Sequence, residues 1–390
     1  MNMKYIKNIS SQLIIYSILI LFISCSNVKD VDIKGQIMIN EAALTKAINE
    51  DAGLYENETK IYASSFLALY EVYEIDKENK TSINNKIAGF DTIPKPIKKI
   101  NSVLAGFNAY YNILNVFEIK NADIRLLQNN LNKYYEEKLD KDIFQNSINY
   151  SKIVSDIILK NFKNNDGFYF IKNLDELNIN RPETILKTTQ DELLKNANDI
   201  YQASQQLTDL QKNTCNYWNG DDQNLKNKIS ISGHWFRLLS QIIKDKEMDA
   251  NQILKLYATL GNTINESNKI GSQTGYTLSY ISPKIFINKN KDPKWSPYLK
   301  SNKEEYNSIT SVISTASANI INDVLNVNYK IVDSSVYEYI GQTREYTSLI
   351  DAAAEASISR AYGGLHYIPS VNLAAKQGEL ISKIIITKLK

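Results

Sequence analysis

The sequence predicts an all-α fold, a large helical bundle, on three observations. From Met38 onward apolar residues recur at intervals of three and four, the period of helices with one buried face. Only seven prolines and fourteen glycines punctuate 390 residues, and the prolines fall between the periodic stretches. No Gly/Ser-rich or Pro-rich linker divides the chain, so residues 37–390 are expected to form a single helical domain.

At the N-terminus, Lys4 and Lys7 precede an apolar run from Leu13 to Ile23 that ends at Ser24-Cys25-Ser26. A basic start, a short apolar centre and small residues at the boundary describe a secretory signal peptide over residues 1–24; a membrane anchor is the competing reading, and the run is short for it. Ser26 to about Gln36 is polar and reads as a tether. The first helical face then collects Tyr62, Phe66, Leu69, Tyr70 and Tyr73. Leu104, Phe107, Tyr110, Tyr111 and Leu114 make the next, Ile148, Ile153, Ile157 and Ile158 another, and Ile253, Leu256, Leu260 and Ile264 a further one. Pro94 and Pro96 mark a basic turn, Pro182 precedes a helix, and Pro283, Pro293 and Pro297 share one long irregular segment. The twenty-five tyrosines suit helix faces as amphipathic packing residues. No repeat of fixed period is present, which disfavours a solenoid.

Composition narrows the function classes. Forty-five basic and 43 acidic residues leave a net charge of +2, so neither a nucleic-acid partner nor disorder is indicated. Two cysteines, Cys25 and Cys215, and two histidines, His234 and His366, exclude a His-rich or Cys-ligated metal site, and no calcium-loop pattern occurs.

Two stretches carry resemblances. Leu21-Phe22-Ile23-Ser24-Cys25 resembles a bacterial lipobox, with Phe22 where leucine is usual. That implies cleavage before Cys25, lipidation of its thiol, and an exported lipoprotein held to a membrane on the periplasmic side of the envelope or at the cell surface. Cys215 then has no disulfide partner and is expected to be buried or reactive. Near the other end, Ser359-Arg360-Ala361-Tyr362-Gly363-Gly364-Leu365-His366 resembles the last motif of the vanadium-dependent haloperoxidases and the related type 2 phosphatidic acid phosphatases. The resemblance implies that Arg360 donates to a vanadate or phosphate oxygen and that His366 bonds vanadium or attacks phosphorus. Glu345-Tyr346-Thr347-Ser348 and Ala352–Ala356 look like that family's lead-in helix, Ile61–Glu71 like its first large helix, and Ser151–Lys163 with Asn165-Asp166-Gly167 like its middle helix and following loop. Tyr217-Trp218-Asn219-Gly220 and Ser232-Gly233-His234-Trp235 are similar to its substrate-side loop and Gly-His-Trp segment.

Ser232-Gly233-His234 resembles the superfamily's catalytic Ser-Gly-His but lies too early in the chain. The better counterpart is Tyr306-Asn307-Ser308-Ile309-Thr310, after Asp292–Pro297, so His234 is expected to be a packed or hydrogen-bonded partner of Trp235. Placing the motifs residue by residue puts Gly275 at the family's lysine, Ser282 at its first arginine, Ile309 and Thr310 at its glycine and histidine, and Ser370 at the aspartate that orients the last histidine. Ser308, Arg360 and His366 remain as catalytic and cofactor-binding candidates.

Each charge-assisted hydrogen bond lost costs about 1.5–3 kcal/mol, so two missing cations weaken binding of an oxyanion by several orders of magnitude. Loss of an acid/base histidine removes roughly another 10²–10⁴ in rate. The expectation is a haloperoxidase-like lipoprotein with a degenerate pocket, lost or altered catalysis, and a binding or structural role toward an oxyanion or small molecule. The alternative is an enzyme using vanadate or cleaving phosphoesters, with Lys284, Lys289 or Lys291 rebuilding the pocket. A helical glycan- or nutrient-binding lipoprotein is a third reading. Arg360 could instead hydrogen-bond helix C-terminal carbonyls and bridge the last helices, and the Gly363-Gly364 pair could serve a turn or a close approach.

Overall fold

The computed structural model describes residues 31–75, 82–87, 89–165, 170–171, 177, 190–220, 229–278, 281–300, 308–327 and 330–390, with the side chains of 163–165 and 274–278 left aside. In order, the helices are α1 (Ile33–Glu50), α2 (Ala52–Tyr55), α3 (Glu58–Tyr73), α4 (Ser102–Val116), α5 (Ala122–Lys138), α6 (Lys141–Asn165), α7 (Gln190–Gln205), α8 (Asp209–Tyr217), α9 (Ile231–Lys244), α10 (Ala250–Leu278), α11 (Pro283–Asn290), α12 (Ile309–Leu325), α13 (Tyr337–Ile340), α14 (Leu349–Tyr362) and α15 (Ile368–Leu389). Two three-residue strands, β1 (Ile331–Asp333) and β2 (Arg344–Tyr346), pair antiparallel with Ile331 opposite Tyr346. No helix among the described residues is long and apolar enough to cross a membrane.

The larger of two hydrophobic clusters runs from Ile37 on α1 to Ile385 on α15, and the smaller gathers Ile200, Ile287, Trp295 and Val371. α3 lies between α4 and α10, and α12 lies against α10, α14 and α15. The faces centred on Phe66, Phe107 and Leu260 are buried as their spacing predicts. On α6 the predicted stripe is displaced. Ile158 is buried, but Ile153 is 46 % exposed, and the inward positions include Ser147, Ser151 and Ser155. Serine can face a helix–helix seam because its hydroxyl bonds a carbonyl one turn back, as Ser147 does to Ile143 at 2.7 Å.

Three further expectations change. α1 begins at Ile33, capped by Asp32, inside the stretch read as tether, and Gln36 is buried. Pro283 does not belong to an irregular segment. It opens α11 behind the Ser282 cap, where a missing N–H costs nothing. Glu345 and Tyr346 are not helical; they lie on β2, and the helix starts only after Ser348, whose hydroxyl accepts from the Asp351 N–H. Pro182, Asp166 and Gly167 lie outside the described residues.

Contacts fix the direction of the central helices. Ser230 N–H donates to Asn49 at 3.3 Å and the Ser232 hydroxyl to Glu58 at 2.8 Å, which puts the end of α1 with the starts of α3 and α9. At the opposite end the Lys34 ammonium donates to the Lys244 and Lys246 carbonyls, both at 2.8 Å, and Gly106 on α4 sits against Leu69 on α3. Midway, the fully buried Glu41 carboxylate accepts from Thr45, from Ser240 at 2.5 Å and from Arg237 at 3.2 Å, joining α1 to α9. Removing one member of such a buried set leaves the others desolvated and unpaired. Glu41→Ala is expected to cost about 3–5 kcal/mol in urea unfolding, and Glu41→Gln less, because the amide oxygen still accepts from the hydroxyls.

Candidate functional site

α8 and α14 meet at the end of the bundle where α3 and α9 begin, and the meeting is polar. α8 starts at a capping box, in which Thr208 and Gln211 satisfy each other's backbone N–H groups, and ends with Trp218 as its cap. Arg360, in the last turn of α14, has no solvent exposure. Its Nη2 donates to the Trp218 carbonyl at 2.8 Å and its Nε to the Ser359 hydroxyl at 3.0 Å. The Trp218 carbonyl also accepts from the Gly220 N–H at 3.0 Å, so the guanidinium adds a second donor at this helix C-terminus. The Cys215 thiol points at the Ser359 carbonyl at 3.4 Å and is fully buried; burial pushes its pKa up to about 11, against a smaller opposing pull from Arg360. Cys215 is thus the buried alternative of the two expected for it.

The Trp218 ring extends this junction. Its indole N–H donates to Glu355 Oε1 at 3.0 Å, which also accepts from Tyr346 at 2.9 Å. His234 stacks on it with centroids 4.2 Å apart and planes 17° off parallel. His234 Nε2 lies 2.8 Å from Asp333 Oδ2, both groups being buried. The expectation for His234 therefore needs one correction. It is packed and hydrogen-bonded, but its partners are Trp218 and Asp333; Trp235 instead donates to Ser314 on α12 at 3.1 Å. Burial alone would push the Asp333 carboxyl up, but the His234 ring, reinforced by the Ser335 hydroxyl and N–H, outweighs it and holds the pKa below the ordinary carboxylate range.

The residues expected to form an oxyanion pocket have other employment. Ser308 caps α12, its buried hydroxyl accepting from the Ser311 N–H at 3.3 Å and hydroxyl at 2.7 Å. Ser282 caps α11, accepting from the Ile285 N–H at 3.4 Å. Thr310 is buried one residue into α12, Ser370 is buried in the first turn of α15, and Gly275 is on α10. α12 and α14 pack together, yet no hydrogen bond among the described residues joins Ser308 to Arg360. His366 is half-buried, and its backbone N–H donates to the Arg360 carbonyl at 3.4 Å. The lysines offered as replacements face outward. Lys284 and Lys289 are exposed on α11, while the exposed Lys291 donates to Asn198 at 2.6 Å and lies 4.6 Å over the Tyr201 ring.

The Gly363-Gly364 turn meets both of its possible requirements. A Cβ on Gly363 would come within 2.5 Å of Leu299, and Gly364 has φ +78°, the left-handed region that suits glycine. Sequence reasoning missed Asp333, Arg344 and Glu355. Arg344 on β2 is 3.7 Å from Glu355 and sits 5.2 Å over the Tyr217 ring, with Nε and Nη2 lacking hydrogen-bond partners among the described residues. Adjacency across strands of three residues leaves no periodic signal.

This all-α architecture is similar to that of solved vanadium-dependent haloperoxidases. Residues 279–390 match the family described as the VCPO second helical-bundle domain. The fold is similar to that of a bacterial vanadium-dependent iodoperoxidase, with TM-score 0.77 and 20% identity over 93% of this chain and 99% of that one. It is also similar to a bacterial vanadium-dependent chloroperoxidase in its holo form, with TM-score 0.62 and 12% identity over 88% of this chain and 93% of that one. The apo form gives the same TM-score and identity over 85% and 93%. No curated protein sequence matches the chain.

A vanadate carried by such a fold needs several donors converging on one point. The described residues do not fit it, because Arg360 is turned to Trp218 and the serines at the motif positions cap helices.

The buried pair has a measurable consequence. Since the Asp333 pKa is depressed by folding, its stabilisation is full above the ordinary carboxylate value, about pH 4, and is lost as pH falls below it toward the folded pKa. Asp333→Asn is expected to lower stability at neutral pH and to flatten the acid limb of a stability–pH profile measured by chemical denaturation.

Proposed function

We propose that this chain is a haloperoxidase-like protein with a degenerate oxyanion pocket, which has lost or altered the chemistry of its fold and serves in binding or as a structural component. The observation that supports this reading is the Arg360 guanidinium, fully buried and donating to the Trp218 carbonyl and the Ser359 hydroxyl. With Gly275 and Ser282 at the other cationic positions, the described residues leave a doubly charged oxyanion uncompensated there. A tetrahedral anion would have to draw Arg360 away from the Trp218 carbonyl and the Ser359 hydroxyl.

A second reading, a rearranged anion site, has one observation in its favour. The two unsatisfied nitrogens of Arg344 beside Glu355 could take an acceptor that the described residues do not provide. Vanadate titration by calorimetry on the full chain separates the readings. No micromolar binding, and a stability loss of about 2–4 kcal/mol for Arg360→Ala, are expected of the degenerate pocket. Micromolar binding abolished by Arg360→Ala would overturn it, and binding abolished by Arg344→Ala alone would establish the rearranged site.

The same proposal includes export and anchoring. The lipobox-like run ending at Cys25 supports an exported bacterial lipoprotein whose lipidated residue 25 attaches it to a membrane leaflet. Cys25→Ser is expected to move the chain from the membrane to the soluble fraction of cells and to abolish labelling by a fatty-acid analogue. Unchanged labelling would remove the lipoprotein reading.

A further inference from the structure

The end of the bundle opposite the Arg360 junction carries an unusual loop. Residues 91–101 hold Pro94-Lys95-Pro96-Ile97-Lys98-Lys99, and Ile97 is 102% exposed, the most exposed large apolar side chain among the described residues. Scattered exposed apolar residues are ordinary on protein surfaces. This one differs in how it is held and in what surrounds it. The Tyr150 hydroxyl donates to the Pro94 carbonyl at 2.7 Å, the Asn146 amide to the Lys99 carbonyl at 3.3 Å, and the Asn101 N–H to the Ser147 hydroxyl at 2.8 Å. Ile93 is buried beneath the loop. Two prolines fix φ on either side of Lys95, so little entropy is left for the tip to lose on binding.

Lys95, Lys98 and Lys99 are exposed, and none is ion-paired among the described residues. The nearest carboxylate in sequence, Asp91, is closed on Lys160 at 3.0 Å. In a chain of net charge +2 this is a local concentration of positive charge around an apolar point. A bilayer with anionic headgroups offers the complementary pair of environments: phosphate charge at the level of the ammonium groups and acyl chain below it for the isoleucine.

The direction of the helices agrees. α1 enters the bundle at the end where Lys34 meets the end of α9 and where α4 begins, directly after this loop, while Trp218 and Arg360 lie at the far end. We propose that the 91–101 loop is a membrane-surface contact that inserts Ile97 into an anionic leaflet and turns the Arg360 junction away from it. This contact does not depend on the fate of the oxyanion pocket.

The test places an environment-sensitive fluorophore at the tip of the full chain, using Ile97→Cys with Cys25→Ser; Cys215 is buried and stays unlabelled. Vesicles of phosphatidylcholine with phosphatidylglycerol are compared with vesicles of phosphatidylcholine alone, and the loop-lysine variant below, which keeps Lys4, Lys7 and the N-terminal run, separates the loop from that run. A blue-shifted, brighter emission on the anionic vesicles only is expected. Lys95→Gln, Lys98→Gln and Lys99→Gln together should weaken it by about a hundredfold, and salt should reverse it. No change on either vesicle, or an equal change on both, would overturn the proposal. A concentration-dependent change without vesicles would also overturn it, assigning the tip to a contact between copies of the chain.

Discussion

A guanidinium with no access to water has to place its donors on protein acceptors, and Arg360 sets one on the Trp218 carbonyl at the end of α8 and another on the Ser359 hydroxyl. The arrangement at this end of the molecule follows from that contact. It locks the last turn of α14 to Trp218, and Trp218 in turn holds Glu355 through its indole N–H and His234 through its face. His234 then fixes Asp333, and with it the short strand pair leading to α14. These links join largely desolvated groups, so the junction couples residues far apart in the chain.

The same contact shows how a charged side chain can be kept inside this fold. Desolvating a positive charge is tolerable when a carbonyl and a hydroxyl replace water. At Ser308 and Ser282 the replacement is local. Each hydroxyl ends a helix by accepting a backbone N–H, a role that stabilises α12 and α11 without any ligand.

Much of the fold was legible because helices advertise themselves through spacing. The faces at Tyr62–Tyr70 and Leu104–Leu114 are buried as read, and the sequence likeness to the vanadium haloperoxidases is matched by the overall architecture and by residues 279–390. Reading failed where polarity and burial part company. The inward serines of α6 look like surface residues, and Arg344–Tyr346 is too short to display a strand period.

Local chemistry, then, was decided along the chain: the helical period, the proline breaks, and the basic turn around Pro94 and Pro96. What Arg360 and His234 do was settled by packing. Arg360 was open between an anion and a helix end until Trp218, 142 residues earlier, came within 2.8 Å of it. His234 likewise acquired Asp333 from 99 residues away. A side chain's donors take whichever acceptor the fold brings within reach, and that reach is a property of three-dimensional distance that spacing along the chain does not encode.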